Sequence, residues 1–343
     1  MSERLYQPDF SSIFGENHAN AFSYGRVDTL VWPVFSDVKK SQNLENLLKL
    51  KNKEGHPLFY RRNVSIKDEL VELNCANMDL ALIQAMSIER DYGITNEDVL
   101  SAVEKEPNRF RGVLSFSLKS GEDVTSNINS AEKRIPLAGI VVYPSYSDLD
   151  LLDSSNQGIT QLLELSVKKN YFIKIDVGNI FLPDNHASKT SPRVLKEFLS
   201  KHPEPTFILS GLDIYGDFNN YYSLLKYFNN LWIELEPRSF GGMTPRDCFR
   251  RAFDMKGFIQ NCWHRMMIGS ATPTLEVSQI VRGFLEATSE LSFSQKNLLR
   301  TWGLRNVNRI NRDVFPPLKA EDVSLYKPIQ EVKEQLVIEN DHE

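Results

Sequence analysis

Residues 157–177, QGITQLLELSVKKNYFIKIDV, hold the unit on which the fold depends. Gln157–Lys169 reads as an amphipathic helix that opens after the Ser-Ser-Asn run at 154–156. Tyr171–Val177 reads as a short β-branched strand. A helix handing directly to a strand, repeated, is the signature of βαβ units and a parallel sheet. The repeat extends both ways along the chain. Strands are expected at Asp28–Val34, Asp79–Gln84, Arg111–Ser117, Gly139–Tyr143, Thr206–Gly211, Leu231–Glu236 and Arg265–Gly269. Helical patterns at Ile66–Cys75, Asn96–Glu106 and Ser191–Lys201 fall between them, the last with Ser191 as N-cap and Pro192 at the first helical position. Eight strands with intervening helices favour one closed (β/α)₈ barrel. An open dinucleotide-binding sheet has no support, because no Gly-rich phosphate loop follows the first strand.

The barrel is expected over 27–315, with a polar insertion at 35–64. Residues 1–26 read as an aromatic arm and 316–343 as an extension ending in a short acidic helix. A single domain of this length is ordinary for an α/β barrel, and the 343 residues with 41% apolar and 25% charged side chains suit a globular protein. A net charge of −5 without a basic block argues against nucleic-acid binding. No apolar run is long enough for a membrane span, so no membrane partner is expected. The N-terminus lacks a signal-peptide pattern, and Cys75, Cys248 and Cys262 have neither metal-ligand spacing nor an even number for disulfides. A reducing cytoplasm is the expected location.

Four segments together resemble the amidohydrolase-2 family, which contains aminocarboxymuconate-semialdehyde decarboxylase-like enzymes and related hydrolases. They are TNEDVLSAVEKEPNRFRGVLSFS at 95–117, PLAGIVVYP at 136–144, RMMIGSATP at 265–273 and LRNVNRI at 304–310. The resemblance spans roughly residues 27–312 and implies an amidohydrolase-like TIM barrel with its site at the C-terminal ends of the strands. It also implies a divalent metal that activates water or polarises a carbonyl. The expected ligands are missing. The first-strand His-x-His falls on Leu30 and Trp32, the fifth-strand His on Asp176, the sixth-strand His on Gly211 and the eighth-strand Asp on Ala271. Tyr143 replaces a further His. No metal and no other cofactor are therefore expected, since Leu, Trp, Gly and Ala supply no ligand.

Other side chains are candidates for the barrel mouth. Strand alternation puts Lys174 and Asp176 on one face, and Glu234 and Glu236 on another. Lys174 and Asp176 would be the catalytic pair if the chain is active. The alternative is a buried ion pair filling the space of a lost metal. Trp32, Tyr143, Asp213, Glu234 and Arg238 are the candidate substrate-binding residues, with Trp32 either stacking a planar ligand or plugging the barrel. Asp176, Asp213 and Glu234 could also hold a hard cation through oxygens. Cys262 and His264 fall at the bottom of the eighth strand, the stability end, where a catalytic pair is not expected.

Two functions follow. One is a pseudoenzyme that forms a homo-oligomer, or a hetero-oligomer with an amidohydrolase homologue, and stabilises or regulates it. The other is a metal-independent hydrolase or lyase acting on a small carboxylate-bearing ligand. The aromatic arm around Phe10, Phe14, Phe22 and Tyr24, the insertion after the first strand and the loop after the seventh are together the candidate contact surface.

Overall fold

The computed structural model describes residues 25–53, 64–88, 92–118, 122–147, 149–178, 187–214, 216, 218–236 and 244–311. Eight parallel strands follow one another around a sheet: β1 Val27–Val31, β2 Leu80–Gln84, β3 Phe110–Ser115, β4 Leu137–Val142, β5 Phe172–Asp176, β6 Thr206–Ser210, β7 Leu231–Leu235 and β8 Met266–Ile268. Each pairs in parallel with its neighbour in sequence. The last seam, between β1 and β8, is closed just beyond the end of β8. Ala271 N–H donates to Leu30 O at 2.8 Å, and Trp32 N–H donates to Thr272 O at 2.9 Å. The (β/α)₈ barrel expected from the sequence is the observed architecture.

Strand positions match the pattern, but several ends differ. β1 stops at Val31, three residues short of the expected end. Pro33 has no N–H to give the ladder and restricts Trp32 before it. The chain turns there instead, with Val34 N–H donating to Trp32 O at 2.7 Å. The described helices of seven residues or more are α1 Gln42–Lys53, α2 Ile66–Cys75, α3 Asn96–Val103, α4 Val124–Glu132, α5 Gln157–Lys169, α6 Pro192–Lys201, α7 Phe218–Leu224, α8 Pro245–Asp254, α9 Val277–Ser289 and α10 Phe293–Trp302. α2 and α3 each begin with a capping box, Ser65 with Asp68 and Thr95 with Asp98. α5 ends on Asn170, held in the left-handed conformation at φ 56° that asparagine tolerates better than most residues. Ser191 is the N-cap of α6 and Pro192 its first residue, although the Ser191 side chain makes no cap hydrogen bond. The expected polar insertion includes α1, which buries Leu44 and Leu47.

Alternation divides the apolar side chains into two layers. Ile173 and Ile175, Phe207 and Leu209, Ile233 and Leu235 face the surrounding helices. Phe172, Ile208, Met267, Leu82 and Val141 fill the interior. Gly139 makes room there, since a Cβ at this position would lie 2.4 Å from the Phe172 ring. At the bottom, Asn306 of the closing segment donates to Trp263 O and Met266 O at 2.6 and 2.9 Å, pinning the start of β8. Arg309 lies over the rings of Trp263 and Trp302. None of the described helices is long and apolar enough to cross a membrane.

Candidate functional site

The inner face of β5 carries Phe172, Lys174 and Asp176 in ascending order, and the Lys174 side chain is wholly buried. A lysine in that position needs a fixed counter-charge. Its partner is Glu234 on β7, two strands away: Nζ to Oε1 is 2.8 Å, with neither side chain exposed. Lys174 also donates to the Thr29 carbonyl at 3.0 Å, and the Thr29 hydroxyl donates to the same Glu234 oxygen at 2.6 Å. The network therefore ties β1, β5 and β7 across the barrel interior.

Asp176 is one layer higher and is held locally. It accepts from Gly178 N–H at 3.2 Å and from the Ser210 hydroxyl at 3.3 Å. Tyr143 is also enclosed. Its hydroxyl donates to Ala85 O at 3.1 Å and accepts from Gln84 Nε2 at 2.9 Å, fastening β4 to the segment after β2. Trp32 is buried in the interior cluster, and Glu236 is buried as well. Asp213 is exposed, outside this interior group. Arg238 lies outside the described residues, as do most of the arm and the extension after 311. The structure thus brings Lys174 to Glu234 and keeps Asp176 on separate partners.

Of the positions where the resemblance expects metal ligands, Asp176 offers an oxygen to a metal, and four others offer nothing. Leu30, Trp32 and Ala271 are buried without a donor atom for one. Gly211 sits at φ +70°, and a Cβ there would lie 2.7 Å from both N and Cα of Gly178. The backbone after β5 occupies the place of a side chain on β6. Among the described residues, no group of three or more His, Cys, Asp or Glu is arranged to hold a metal ion. At the bottom of the barrel, burial pushes the Cys262 thiol up to about 12. His264 is pushed down to about 3 by burial and by Arg265 and Arg309. A thiol and an imidazole both held neutral make no activated nucleophile at pH 7.

Sequence reasoning missed two polar groups. Thr29 is the third member of the Lys174 network. Asp28, on the opposite face of β1, clasps the barrel seam. It accepts from Ser270 N–H at 2.9 Å, Ser270 Oγ at 2.5 Å and Leu30 N–H at 3.2 Å. A carboxylate inside an otherwise apolar strand, VDTLV, was the available signal. Burial raises Asp28 to about 6, against the lowering effect of the Ser270 and Leu30 hydrogen bonds. Because its folded pKa lies above the unfolded value near 3.9, the folded state binds more protons between those values. The stability contribution of Asp28 is thus greatest below about pH 4 and declines as pH rises through 6, by about 3 kcal/mol at 1.4 kcal/mol per unit. Asp28→Asn is expected to unfold at higher denaturant than the wild type at pH 7–8, with the difference vanishing toward pH 4. Denaturant titrations across that range check it, and a gap independent of pH would contradict it.

No family model and no curated protein matches the chain by sequence. Solved structures share its fold. An uncharacterised TIM-barrel protein from Bordetella bronchiseptica superposes with a TM-score of 0.57 at 14% identity, over 80% of this chain and 98% of that one. A probable 2-pyrone-4,6-dicarboxylic acid hydrolase from Acinetobacter baumannii gives 0.53 at 14% identity, over 85% and 99%. A 5-carboxyvanillate decarboxylase from Sphingomonas paucimobilis gives 0.53 at 12% identity, over 84% and 99%.

Proposed function

We propose that this chain is a non-catalytic barrel protein that acts through its outer surface, as a homo-oligomer or beside an amidohydrolase-type partner that it stabilises or regulates. The observation that carries this reading is the burial of the side chains at the strand ends. Gly178 backbone lies on Gly211, and Trp32, Tyr143, Asp176 and Glu236 are all buried at the strand ends where barrels of this kind build their sites. The Lys174–Glu234–Thr29 network is an internal brace in this reading. Purified protein is expected to contain well under one zinc, manganese or iron per chain by elemental analysis, and its thermal midpoint should not respond to chelators. Light scattering and co-purification from native lysate test the oligomeric half. A monomer that captures no barrel homologue, or a stoichiometric mouth-bound metal, would overturn it.

A second reading is favoured by three buried polar atoms without a protein partner: Trp32 Nε1, Gln84 Oε1 and Glu234 Oε2. Buried groups of this kind are normally satisfied. In this reading the chain is a metal-independent hydrolase or lyase, with Lys174 and Asp176 moving protons and Trp32, Tyr143, Asp213, Glu234 and Arg238 around the substrate. The names of the matched pyrone dicarboxylate hydrolase and carboxyvanillate decarboxylase point to a small carboxylate as the substrate class. Turnover of pyrone or aromatic carboxylates by chelator-treated protein, lost in a Lys174→Met/Glu234→Gln variant that still folds, would replace the first reading by this one.

A further inference from the structure

The described part of the chain ends at Asn311, against the end of α5 at the bottom of the barrel. The Asn311 side chain donates to Asn170 O at 3.0 Å and to Lys169 O at 3.4 Å, and Asn170 Nδ2 donates to Ile310 O at 2.9 Å. Next to that exit, between α5 and the turn after α6, lies a groove of about 610 Å³ whose lining includes Lys168. Leu163 and Val167, one helical turn apart on α5, and Pro203 and Pro205 of the turn bring apolar side chains to it. Val167 is 46% exposed and Leu163 half-buried, so the described residues leave this stripe of α5 partly uncovered. The turn is fixed in place, because Asn230 Nδ2 donates to both His202 O and Pro205 O at 3.0 and 2.8 Å. Lys168 and Lys201 are balanced by Glu164 and Glu204, so the groove selects neither a polyanion nor a metal. The sequence beyond the exit carries a matching surface. In PIQEVKEQLVI, 328–338, Ile329, Val332 and Leu336 recur at helical spacing, Pro328 suits a first helical position, and Glu331, Lys333 and Glu334 are charges of both signs. A stretch this short is marginal as an isolated helix in water and needs a surface for its apolar stripe.

We propose that residues 328–338 fold back as an amphipathic helix and seat Ile329, Val332 and Leu336 in the α5/α6 groove of the same chain. The tether decides in favour of this occupant. Residues 312–327 reach more than about 20 Å even as a flexible coil, whereas Val167 is only two residues, about 3 Å of helix rise, from the Lys169 carbonyl that Asn311 holds. A tether of that length keeps the segment at an effective concentration on the order of millimolar, so a modest apolar groove is filled. An amphipathic helix laid in a hydrophobic groove through anchors at i, i+3 and i+7 is a recurring mode of recognition. The N-terminal arm is worse placed, because it enters β1, four strands around the barrel from β5. The docking is independent of whether the barrel mouth is catalytic.

The test is hydrogen exchange of the full chain, read by mass spectrometry. Amides of 328–338 should exchange at least about tenfold more slowly than in a free peptide of the same sequence. Val167→Asp in the groove and Leu336→Ser in the segment should each return them to the free-peptide rate, with unchanged β5 amides showing that the barrel is intact. Val71→Asp, at an exposed valine on α2, should leave the protection as it is. In an equimolar mixture of Val167→Asp and Leu336→Ser chains, neither should regain protection. The proposal is overturned by free-peptide exchange in the wild type, by protection that survives Val167→Asp, or by protection regained in the mixture, which would put the segment on a second copy of the chain.

Discussion

Lys174→Met is expected to lower the free energy of unfolding by about 3–5 kcal/mol, because it leaves Glu234 buried beside no cation. The geometry leaves no outlet for the stranded charge. Both side chains are wholly enclosed, Thr29 is the one other donor to Glu234 Oε1, and Glu234 Oε2 has no partner even in the intact network. Neutralising the acid in the same chain reverses most of the loss. In Lys174→Met/Glu234→Gln the amide oxygen still accepts from Thr29, no charge is buried, and stability should return to within about 1–2 kcal/mol of the wild type, since replacing a whole buried pair is often near neutral. Urea titrations of the wild type, both singles and the double give the coupling directly, provided the m-values agree. A Lys174→Met single with wild-type stability would mean that the ammonium is not held in the interior.

Gly211→Ala is expected to cost about 3 kcal/mol. Two contributions add: the left-handed backbone at φ +70°, where a Cβ costs about 1–2 kcal/mol, and an overpacking term of about 1–3 kcal/mol. The overpacking is hard to relieve because the neighbour is Gly178 backbone, 2.7 Å from the new Cβ, which no rotamer change can move aside. Gly211→His, which would restore the side chain that the resemblance expects, should be worse still and should not create a metal site. Gly216→Ala is the control: its Cβ would meet the far end of the Asp213 side chain at 2.9 Å, and its φ is not positive. Equal thermal midpoints for Gly211→Ala and Gly216→Ala would show that the two loops are not packed backbone to backbone.

Much of the barrel can be read from the chain because its signals are local. Short apolar runs mark the eight strands, whose side chains alternate between two faces, and the caps and boundaries of Ile66–Cys75 and Gln157–Lys169 depend on residues a few positions apart. The same alternation places Lys174 and Asp176 inside, and Glu234 with Glu236, so the sequence also determined that the interior is charged. It could not choose the partner of Lys174. Asp176 is two residues away and Glu234 is 60, yet the pair forms with Glu234. That choice depends on how β5, β7 and β1 curve toward a common axis, which no spacing along one strand encodes. The remaining decisions are of the same kind. The approach of Gly178 to Gly211 and the Asp28–Ser270 clasp across 242 residues each arise where distant segments meet. Local pattern determined which residues face inward; packing of the closed barrel alone decided which of them touch.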